Sequence, residues 1–363
     1  MTIDRRTLIQ AAALLPALPA FAQDRRFDPQ VGDWRTFEVT TAVDVADVKG
    51  ATRLWLPLPD VDSDWQRPLT HNWSGNATAA RIVSDPSSGL RMFYAEFGPE
   101  VAAPRLALTS RLQTRGRSVD WDRRLPIAED PATLRRALAP TELLPLDGIV
   151  RETARKVTAG VSGEVGKVRA IYDWVVANAH REPKVRGCGV GDIKAMLETG
   201  NLGGKCADLN ALFVGLCRAS GVPARDIYGL RLAPSAFGYK ELGAGSAALK
   251  GAQHCRAEVF LQAHGWVAMD PADVLKVMRQ ETGEWIRDVR DPVAAPVNAA
   301  LFGRWEGNWV GWNRGHDVRL PGSAGKGTLP FLMYPNGENG SGRFDELAPD
   351  AFRYTISARE IAA

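Results

Sequence analysis

Cysteine is scarce in this chain, with four residues among 363, and so is histidine, with five. In an oxidising compartment four cysteines allow at most two disulfides. The spacing of the cysteines and histidines fits no standard zinc pattern, so we expect neither a metal nor a cofactor. Each cysteine therefore has to be interpreted from its own surroundings.

Strong charge and long apolar runs are also missing. The formal charge is +3 at pH 7, which gives no case for nucleic acid or an anionic membrane as a partner. After the first residues no stretch is long and apolar enough to cross a membrane, and no repeat has solenoid or propeller spacing. The length suits two domains, or one domain with large additions.

Residues 1–22 predict an export signal. Arg5 and Arg6 precede the apolar run AAALLPALPA, and the AFA that ends at residue 22 is a small-x-small cleavage site. Paired arginines favour the twin-arginine (Tat) route, although Sec signals also carry them, and an uncleaved anchor is the alternative to cleavage. We expect a periplasmic or secreted protein that begins at Gln23 and has no membrane contact after the signal is removed.

The mature chain divides into three parts that differ in their pattern of apolar residues. Residues 27–118 alternate in the manner of strands, as at Phe37, Val39 and Val43, and predict an N-terminal β-sandwich domain. Residues 119–280 combine amphipathic helices with two alternating strands, which predicts an α+β core. Residues 281–363 predict a C-terminal β-rich extension. Its tryptophans (Trp305, Trp309 and Trp312) are expected in the core, with a substrate-facing aromatic surface as the alternative.

One cysteine stands where a loop becomes a helix. The stretch GGKCADLNALF at 203–213 opens a helix that ends before Gly221-Val222-Pro223, and its apolar residues predict a buried central position. At a helix start, unpaired N–H groups and the helix dipole stabilise a thiolate. Cys206 is therefore a candidate nucleophile, whereas Cys217 is predicted to be a buried thiol.

Strand alternation in QHCRAEVFLQ places the candidate base. His254, Arg256 and Glu258 share one face, while Cys255 points the other way, onto an apolar core and away from Cys206. After the turn at 263–265, Asp270 ends the next strand, where it can hydrogen-bond the histidine.

Cysteine, histidine and aspartate then form a nucleophile–base–orienter set. The thiol of Cys206 attacks, the imidazole of His254 takes and returns a proton, and Asp270 fixes the tautomer of the ring. The backbone N–H of Cys206 is a natural donor to the oxyanion, and the second donor cannot be assigned.

The blocks GGKCADLNALFVGLCRASGVPAR and QHCRAEVFLQAHGWVAMDPAD resemble the transglutaminase-like superfamily over roughly residues 150–280. The resemblance implies a papain-like cysteine fold with Cys206, His254 and Asp270 as the catalytic residues and structural roles for Arg225 and Glu258. Cross-linking transglutaminases of animals carry Gln and Trp around the cysteine, where this chain has Lys205 and Ala207, and the acidic calcium sites of that branch have no counterpart.

The resemblance therefore favours a bacterial, exported cysteine hydrolase acting on peptide or isopeptide amides of a peptide or protein substrate, with cell-wall peptide as one candidate. Amine transfer by a protein-glutamine gamma-glutamyltransferase is the first alternative, and a non-catalytic peptide-binding or scaffold module is the second.

Several neighbouring residues have plainer expectations. Cys188 and Cys255 are the favoured pair if any disulfide forms, since a nucleophilic Cys206 must stay free. Asp208, in the first helical turn, is expected to cap the helix rather than to act as an acid. Glu258 and Arg256 are expected to pair with each other.

Overall fold

The computed structural model describes residues 25–46, 48–249, 251–348 and 351–362. The predicted export signal and the mature start at Gln23 lie outside these residues. Within them, every helix is too short or too polar to span a bilayer.

Strands predominate at both ends of the chain, and helices lie between them. The strands are β1 Arg35–Asp44, β2 Thr52–Pro57, β3 Gln66–Gly75, β4 Ala79–Ser84, β5 Arg91–Phe97, β6 Arg105–Thr114, β7 Arg117–Ser118, β8 His180–Arg181, β9 Gly203–Gly204, β10 Ala224–Arg231, β11 Gln253–Leu261, β12 Gly265–Met269, β13 Arg304–Trp305, β14 Trp309–Asn313, β15 Asn336–Asn339, β16 Gly342–Arg343 and β17 Arg353–Ile361. The helices are α1 Pro131–Arg136, α2 Gly148–Val157, α3 Glu164–Asn178, α4 Ile193–Thr199, α5 Cys206–Ala219, α6 Pro271–Gln280 and α7 Ala295–Ala300, with a 3₁₀ turn at Lys240–Leu242.

Two antiparallel sheets form the predicted N-terminal sandwich. Their strand orders are β17-β1-β6-β3 and β16-β15-β2-β5-β4. Alternate residues of both sheets face each other and are withdrawn from water, which is what the period-2 pattern of the sequence predicts. The shared core includes Val43, Leu106 and Leu108 from the first sheet and Leu54, Leu56 and Phe93 from the second.

Strands from residues 281–363 are distributed over the whole molecule. The strand β17 completes the first N-terminal sheet, and β15 and β16 extend the second, while β14 joins the core sheet and β13 pairs with β7. Local alternation identifies strands in this region but carries no information about their partners, which lie far away in sequence. That the three parts are separate domains, each folding on its own, stays a prediction.

The α+β core is built around helix α5 and a four-stranded antiparallel sheet of order β12-β11-β10-β14. From Cys206 to Arg218 every residue of α5 is buried, and Cys217 is fully so, as predicted. The tryptophans Trp305, Trp309 and Trp312 are 1–3% exposed, which confirms core packing over an aromatic binding surface.

Candidate active site

Cys206 occupies the first position of α5, directly after the short strand β9. A carboxylate in the first helical turn holds the surrounding loop. Asp208 accepts hydrogen bonds from the backbone N–H groups of Lys205 (2.9 Å), Val190 (3.0 Å) and Gly191 (2.9 Å). The predicted capping role of Asp208 is therefore confirmed, and the carboxylate stabilises the positive end of the helix dipole as well.

The glycine-rich loop before α4 is shaped to accept this carboxylate. Gly189 has a φ of +83°, and a Cβ atom on it would lie 1.8 Å from Oδ2 of Asp208. Only glycine fits this position, because other residues rarely adopt a left-handed backbone and their Cβ atom would collide with the carboxylate of Asp208. The same loop brings the carbonyl of Cys188 to the N–H of Ala207, at 3.0 Å. The sequence RGCGVGD thus fixes the backbone on both sides of Cys206.

His254 lies at the start of β11 and is 2% exposed. Its Nε2 is 2.7 Å from Oδ2 of Asp270, which caps the N-terminus of α6. The amide of Asn210, one turn into α5, donates to Oδ1 of Asp270 at 3.3 Å and to the carbonyl of Cys255 at 2.8 Å. The carboxylate is therefore held from two sides, and Nδ1 of His254 is the ring nitrogen left for the thiol.

A second carboxylate, absent from the sequence predictions, reaches the same imidazole. Oδ2 of Asp273 lies 3.2 Å from Nε2 of His254, and Oδ1 accepts a hydrogen bond from Arg231 at 2.5 Å. The only sequence signal for this residue is its position three after Asp270 at a helix start, where its N–H donates to Asp270 Oδ1 at 3.1 Å. Such a spacing is typical of ordinary helix capping and does not by itself indicate a contact with the histidine.

Tryptophans and an arginine support the histidine from behind. Trp309 donates from Nε1 to the carbonyl of His254 at 3.0 Å. Arg256 lies 3.6 Å from Asp270 Oδ2, and its guanidinium packs over the rings of Trp305 and Trp309 at 5.0 and 4.8 Å. Such contacts hold the strand and the carboxylate in one geometry.

The surroundings of Cys206 favour the thiolate. Hydrogen bonds from the thiols of Cys188 and Cys255 lower the pKa of Cys206; burial acts against them, and the imidazole of His254 lowers the pKa further by hydrogen bonding and charge. The net result is a pKa well below that of an ordinary thiol. Its position in the first turn of α5 adds in the same direction.

The surroundings of His254 favour the imidazolium. Burial and the charge of Arg231 lower the pKa of the ring, but the carboxylates of Asp273 and Asp270 outweigh them and raise it to about 9. The two shifts together favour a thiolate beside an imidazolium over a neutral thiol beside a neutral imidazole. This is the arrangement in which a cysteine attacks without first losing a proton.

The other two thiols correct an expectation. All four cysteines are free and buried, so Cys188 and Cys255 do not form a disulfide. Cys255 packs in the apolar core beside Met333, as predicted, but its thiol also lies close enough to Cys206 to act on the pKa of that residue, so the prediction that it faces away from Cys206 is wrong. Interaction with Cys206 and burial raise the pKa of Cys188 well above the ordinary value, and burial and the same interaction raise that of Cys255. Both faces of β11 are buried, so alternation along it separates two parts of the interior rather than core from solvent.

The expected pair of Glu258 and Arg256 is wrong as well. Glu258 is bonded to Arg117 and to Arg225, the latter at 2.7 Å. The register of the sheet places Arg225 of β10 directly opposite Glu258, whereas residues two apart on one strand lie farther from each other. Arg225 and Glu258 thus take structural roles, as the family resemblance implies.

His254, Asp270 and Asp273 are also the one group of potential metal ligands within the described residues, with ligand atoms within 4.8 Å of one another. Each carboxylate already faces an arginine, Asp273 with Arg231 and Asp270 with Arg256. A protonated imidazole matches this set of charges better than a divalent cation does.

A cleft of about 570 Å³ opens beside the thiol. Cys188, Lys205 and Gln253 line it on the side of Cys206 and His254, and Tyr354 and Ile356 of β17 line the other side. Cys206 itself is 3% exposed, and its chain neighbour Lys205 and the nearby Cys188 stand between it and the cleft wall.

Comparison with known proteins finds a family model that covers the part of the chain holding Cys206, His254 and Asp270. The family model of the transglutaminase-like superfamily matches residues 151–271, which run from within α2 past the end of β12 and include Asp270. A protein of Haemophilus influenzae, described as uncharacterized, is 31% identical over 369 residues, covering 97% of this chain and 99% of the relative.

A solved structure shares the fold at low identity. A candidate cysteine protease from Cytophaga hutchinsonii superposes with a TM-score of 0.54 at 14% identity, over 92% of each chain. The periplasmic domain of TgpA from Pseudomonas aeruginosa matches 66% of this chain and 96% of its own length at 16% identity, with a TM-score of 0.36.

Proposed function

The chain belongs to the transglutaminase-like superfamily, and on that premise we propose that it is an exported cysteine-dependent enzyme that opens peptide or isopeptide amides by acyl transfer. Cys206 is the nucleophile, His254 the general acid and base, and Asp270 the residue that orients the imidazole. Hydrolysis is the reaction proposed, with an amine as the alternative acceptor.

The observation that carries the proposal is the pair of opposite shifts at Cys206 and His254. The pKa of the thiol is well below its ordinary value, while that of the imidazole is raised to about 9. A buried structural cysteine shows the reverse behaviour, as Cys217 does, since burial alone raises the pKa of a thiol. Perturbed groups of this kind beside a cleft are typical of a reaction centre.

In the first step the sulfur of Cys206 attacks the carbonyl carbon of the amide. The C–N bond breaks as His254 gives its proton to the departing nitrogen, and a thioester remains on Cys206. The N–H of Cys206 belongs to the first helical turn, whose amides have no acceptor within the helix, and supports the oxyanion.

In the second step water adds to the thioester and gives a proton to His254. The C–S bond breaks, a carboxylic acid leaves, and the thiolate–imidazolium pair returns. A primary amine in place of water gives a new amide and regenerates the same pair. The triad performs both reactions, so the acceptor is decided by what reaches the thioester.

Asp270 holds the tautomer and the direction of the ring, since its bond to Nε2 leaves Nδ1 toward the thiol. Export is proposed on the twin-arginine segment and the cleavage site of residues 1–22.

Alkylation by iodoacetamide tests the reaction centre without a known substrate. We expect Cys206 to react at neutral pH at least about tenfold faster than glutathione, because a larger fraction is thiolate. Mass spectrometry identifies the modified cysteine, and C206S is the control. A rate no higher than that of glutathione, unchanged in H254A, contradicts catalysis and favours the scaffold module.

A peptide library incubated with a primary amine in ¹⁸O water then separates the two acceptors. Hydrolysis gives products that carry ¹⁸O, whereas transfer gives products heavier by the amine. If the amine adduct is the main product, the proposed hydrolysis is wrong, but the proposed acyl-enzyme intermediate still stands.

A further inference from the structure

The cleft beside Cys206 is lined by three cationic residues and one carboxylate, Glu346. Arg181 and Lys205 both line it, and Lys205 immediately precedes the nucleophile in the chain. The guanidinium of Arg181 donates from Nε to the neutral amide of Gln280 at 3.0 Å. Over the described residues, neither Arg181 nor Lys205 forms an ion pair.

The two cations act on each other. Burial lowers the pKa of Lys205, and the charge of Arg181 lowers it further. Asp208 is the carboxylate that acts on Lys205 in the opposite direction, and it is already held by three backbone N–H groups. Two cations on one wall repel each other unless an anion comes between them.

The remaining charges of the cleft leave this excess in place. Arg186 also lines the cleft, but it is bonded to Asp345 at 2.5 Å. Glu346 lies on the wall and acts on Arg186. The thiolate of Cys206 is balanced by the imidazolium of His254, and its charge disappears when the sulfur is acylated. Arg181 and Lys205 therefore remain unbalanced through the reaction.

We propose that Arg181 and Lys205 bind a carboxylate of the substrate, so that the enzyme prefers acidic peptides with a free carboxylate close to the amide that Cys206 opens. This inference rests on the proposed function and specifies its substrate class. Because Lys205 and Cys206 are adjacent in the chain, a carboxylate bound by Lys205 lies within a few residues of the reacting carbonyl. An acidic side chain and a C-terminal carboxylate both supply this group.

Two alkylating reagents that differ in charge test the inference independently of turnover. Iodoacetate carries a carboxylate and iodoacetamide does not, so the ratio of their rates at Cys206 reports the local charge. A change in the pKa of the thiol affects both rates equally and cancels in the ratio. We expect the ratio to exceed that of glutathione about threefold to tenfold at low salt and to fall in 0.5 M NaCl.

Variants assign the effect to the two residues. K205M and R181M are each expected to lower the ratio by about threefold. R186M is the matched control: it removes a cation from the same cleft, but one already paired with Asp345, so the ratio should change by less than about 1.5-fold. Thermal melting checks that each variant is folded.

The outcomes separate the inference from the proposed function. A wild-type ratio equal to that of glutathione, or a high ratio unchanged in K205M and R181M, overturns the carboxylate site even if Cys206 reacts rapidly. Slow alkylation by both reagents overturns the proposed function instead.

Protection of Cys206 from iodoacetamide distinguishes the two carboxylate sources. The probes are an N-acetylated tripeptide with a central glutamate and an amidated C-terminus, and its glutamine counterpart with a free C-terminus. Protection by the first favours an acidic side chain and protection by the second a terminal carboxylate. Equal protection by a peptide with neither group contradicts the inference.

Discussion

Strand β11 carries two buried ion clusters, one near its start and one past its middle, and they behave differently. The histidine cluster consists of His254 with Asp270, Asp273 and Arg231. The glutamate cluster consists of Glu258 with Arg117, Arg225 and Arg314. His254 and Glu258 are equally withdrawn from water, with exposures of 2% and 1%.

The difference lies in which group changes charge. Burial raises the pKa of Glu258, but its arginines outweigh it and lower the value to about 2, so this cluster keeps one charge state at any ordinary pH. The pKa of His254 is raised to about 9, within reach of a working enzyme, and its ring faces a thiol. Buried charge by itself therefore does not mark a reaction centre; a titrating group beside a nucleophile does.

We expect the largest effect when the histidine cluster is broken. H254A removes the imidazolium that stabilises the thiolate and protonates the leaving nitrogen, so peptide cleavage should fall by about 10³-fold. Initial rates of cleavage, with circular dichroism to confirm folding, measure this loss. H264A is the control because His264 packs against Trp121 in the turn after β11. A loss of less than tenfold in H254A removes this residue from the proposed chemistry.

Breaking the glutamate cluster should act on stability instead. E258Q leaves Arg117 and Arg225 around a neutral group and should lower the free energy of unfolding by about 3–5 kcal/mol. Urea denaturation measures it, and alkylation of Cys206 in the folded fraction should stay unchanged. E360Q is the control, since its pair with Arg35 is exposed and is worth at most about 1 kcal/mol. If E258Q changes the alkylation rate of Cys206 but not the free energy of unfolding, the glutamate cluster acts on the reaction centre and not on stability, which contradicts the comparison.

The pH dependence sharpens the comparison. Because the pKa of His254 is raised to about 9, the imidazolium is present below that pH and is lost above it, so cleavage should fall about tenfold per pH unit on the alkaline side. On the acid side the rate falls only where the thiol of Cys206 regains its proton, well below the ordinary thiol range. The imidazole resonances in NMR spectra measure the first limb directly, and a midpoint near 6.5 would contradict it.

The smallest expected effect concerns the second carboxylate. D273N removes one of the two anions beside His254 and leaves Arg231 opposite the ring, so the titration midpoint of His254 should fall by about one pH unit. NMR titration measures the shift, which loss of packing alone does not cause. D288N is the control, because Asp288 is an exposed residue that pairs with Arg290. An unmoved midpoint assigns Asp273 to helix capping only.

Local patterns predicted much of the core. The apolar stripe of α5, the hairpin of β11 and β12, and the position of Asp270 after the second strand can each be read from a few neighbouring residues. The spacing of apolar residues in these elements directly indicates which side chains are buried. The proximity of His254 and Asp270 follows from that hairpin and the helix after it.

What the sequence did not reveal depends on distant partners or on complete burial. Cys255 lies beside Cys206 because both faces of β11 are covered, which alternation cannot show. The partners of Glu258 come from β7 and β10, and strand register is set by the assembled sheet. Asp273 and the cationic wall formed by Arg181 and Lys205 likewise depend on elements that meet only in the folded chain.

The pairing of β1 with β17 joins distant parts of the chain. The strand β17 pairs with β1 from Thr36–Ile361 to Asp44–Arg353, and hydrogen-bonded Arg35 and Glu360 are 325 residues apart. Without β17, β1 lacks this neighbour and one edge of its sheet is open. Tyr354 and Ile356 on β17 also form a wall of the cleft. A chain cut before β17 would therefore lose both an edge strand of the sandwich and one wall of the cleft.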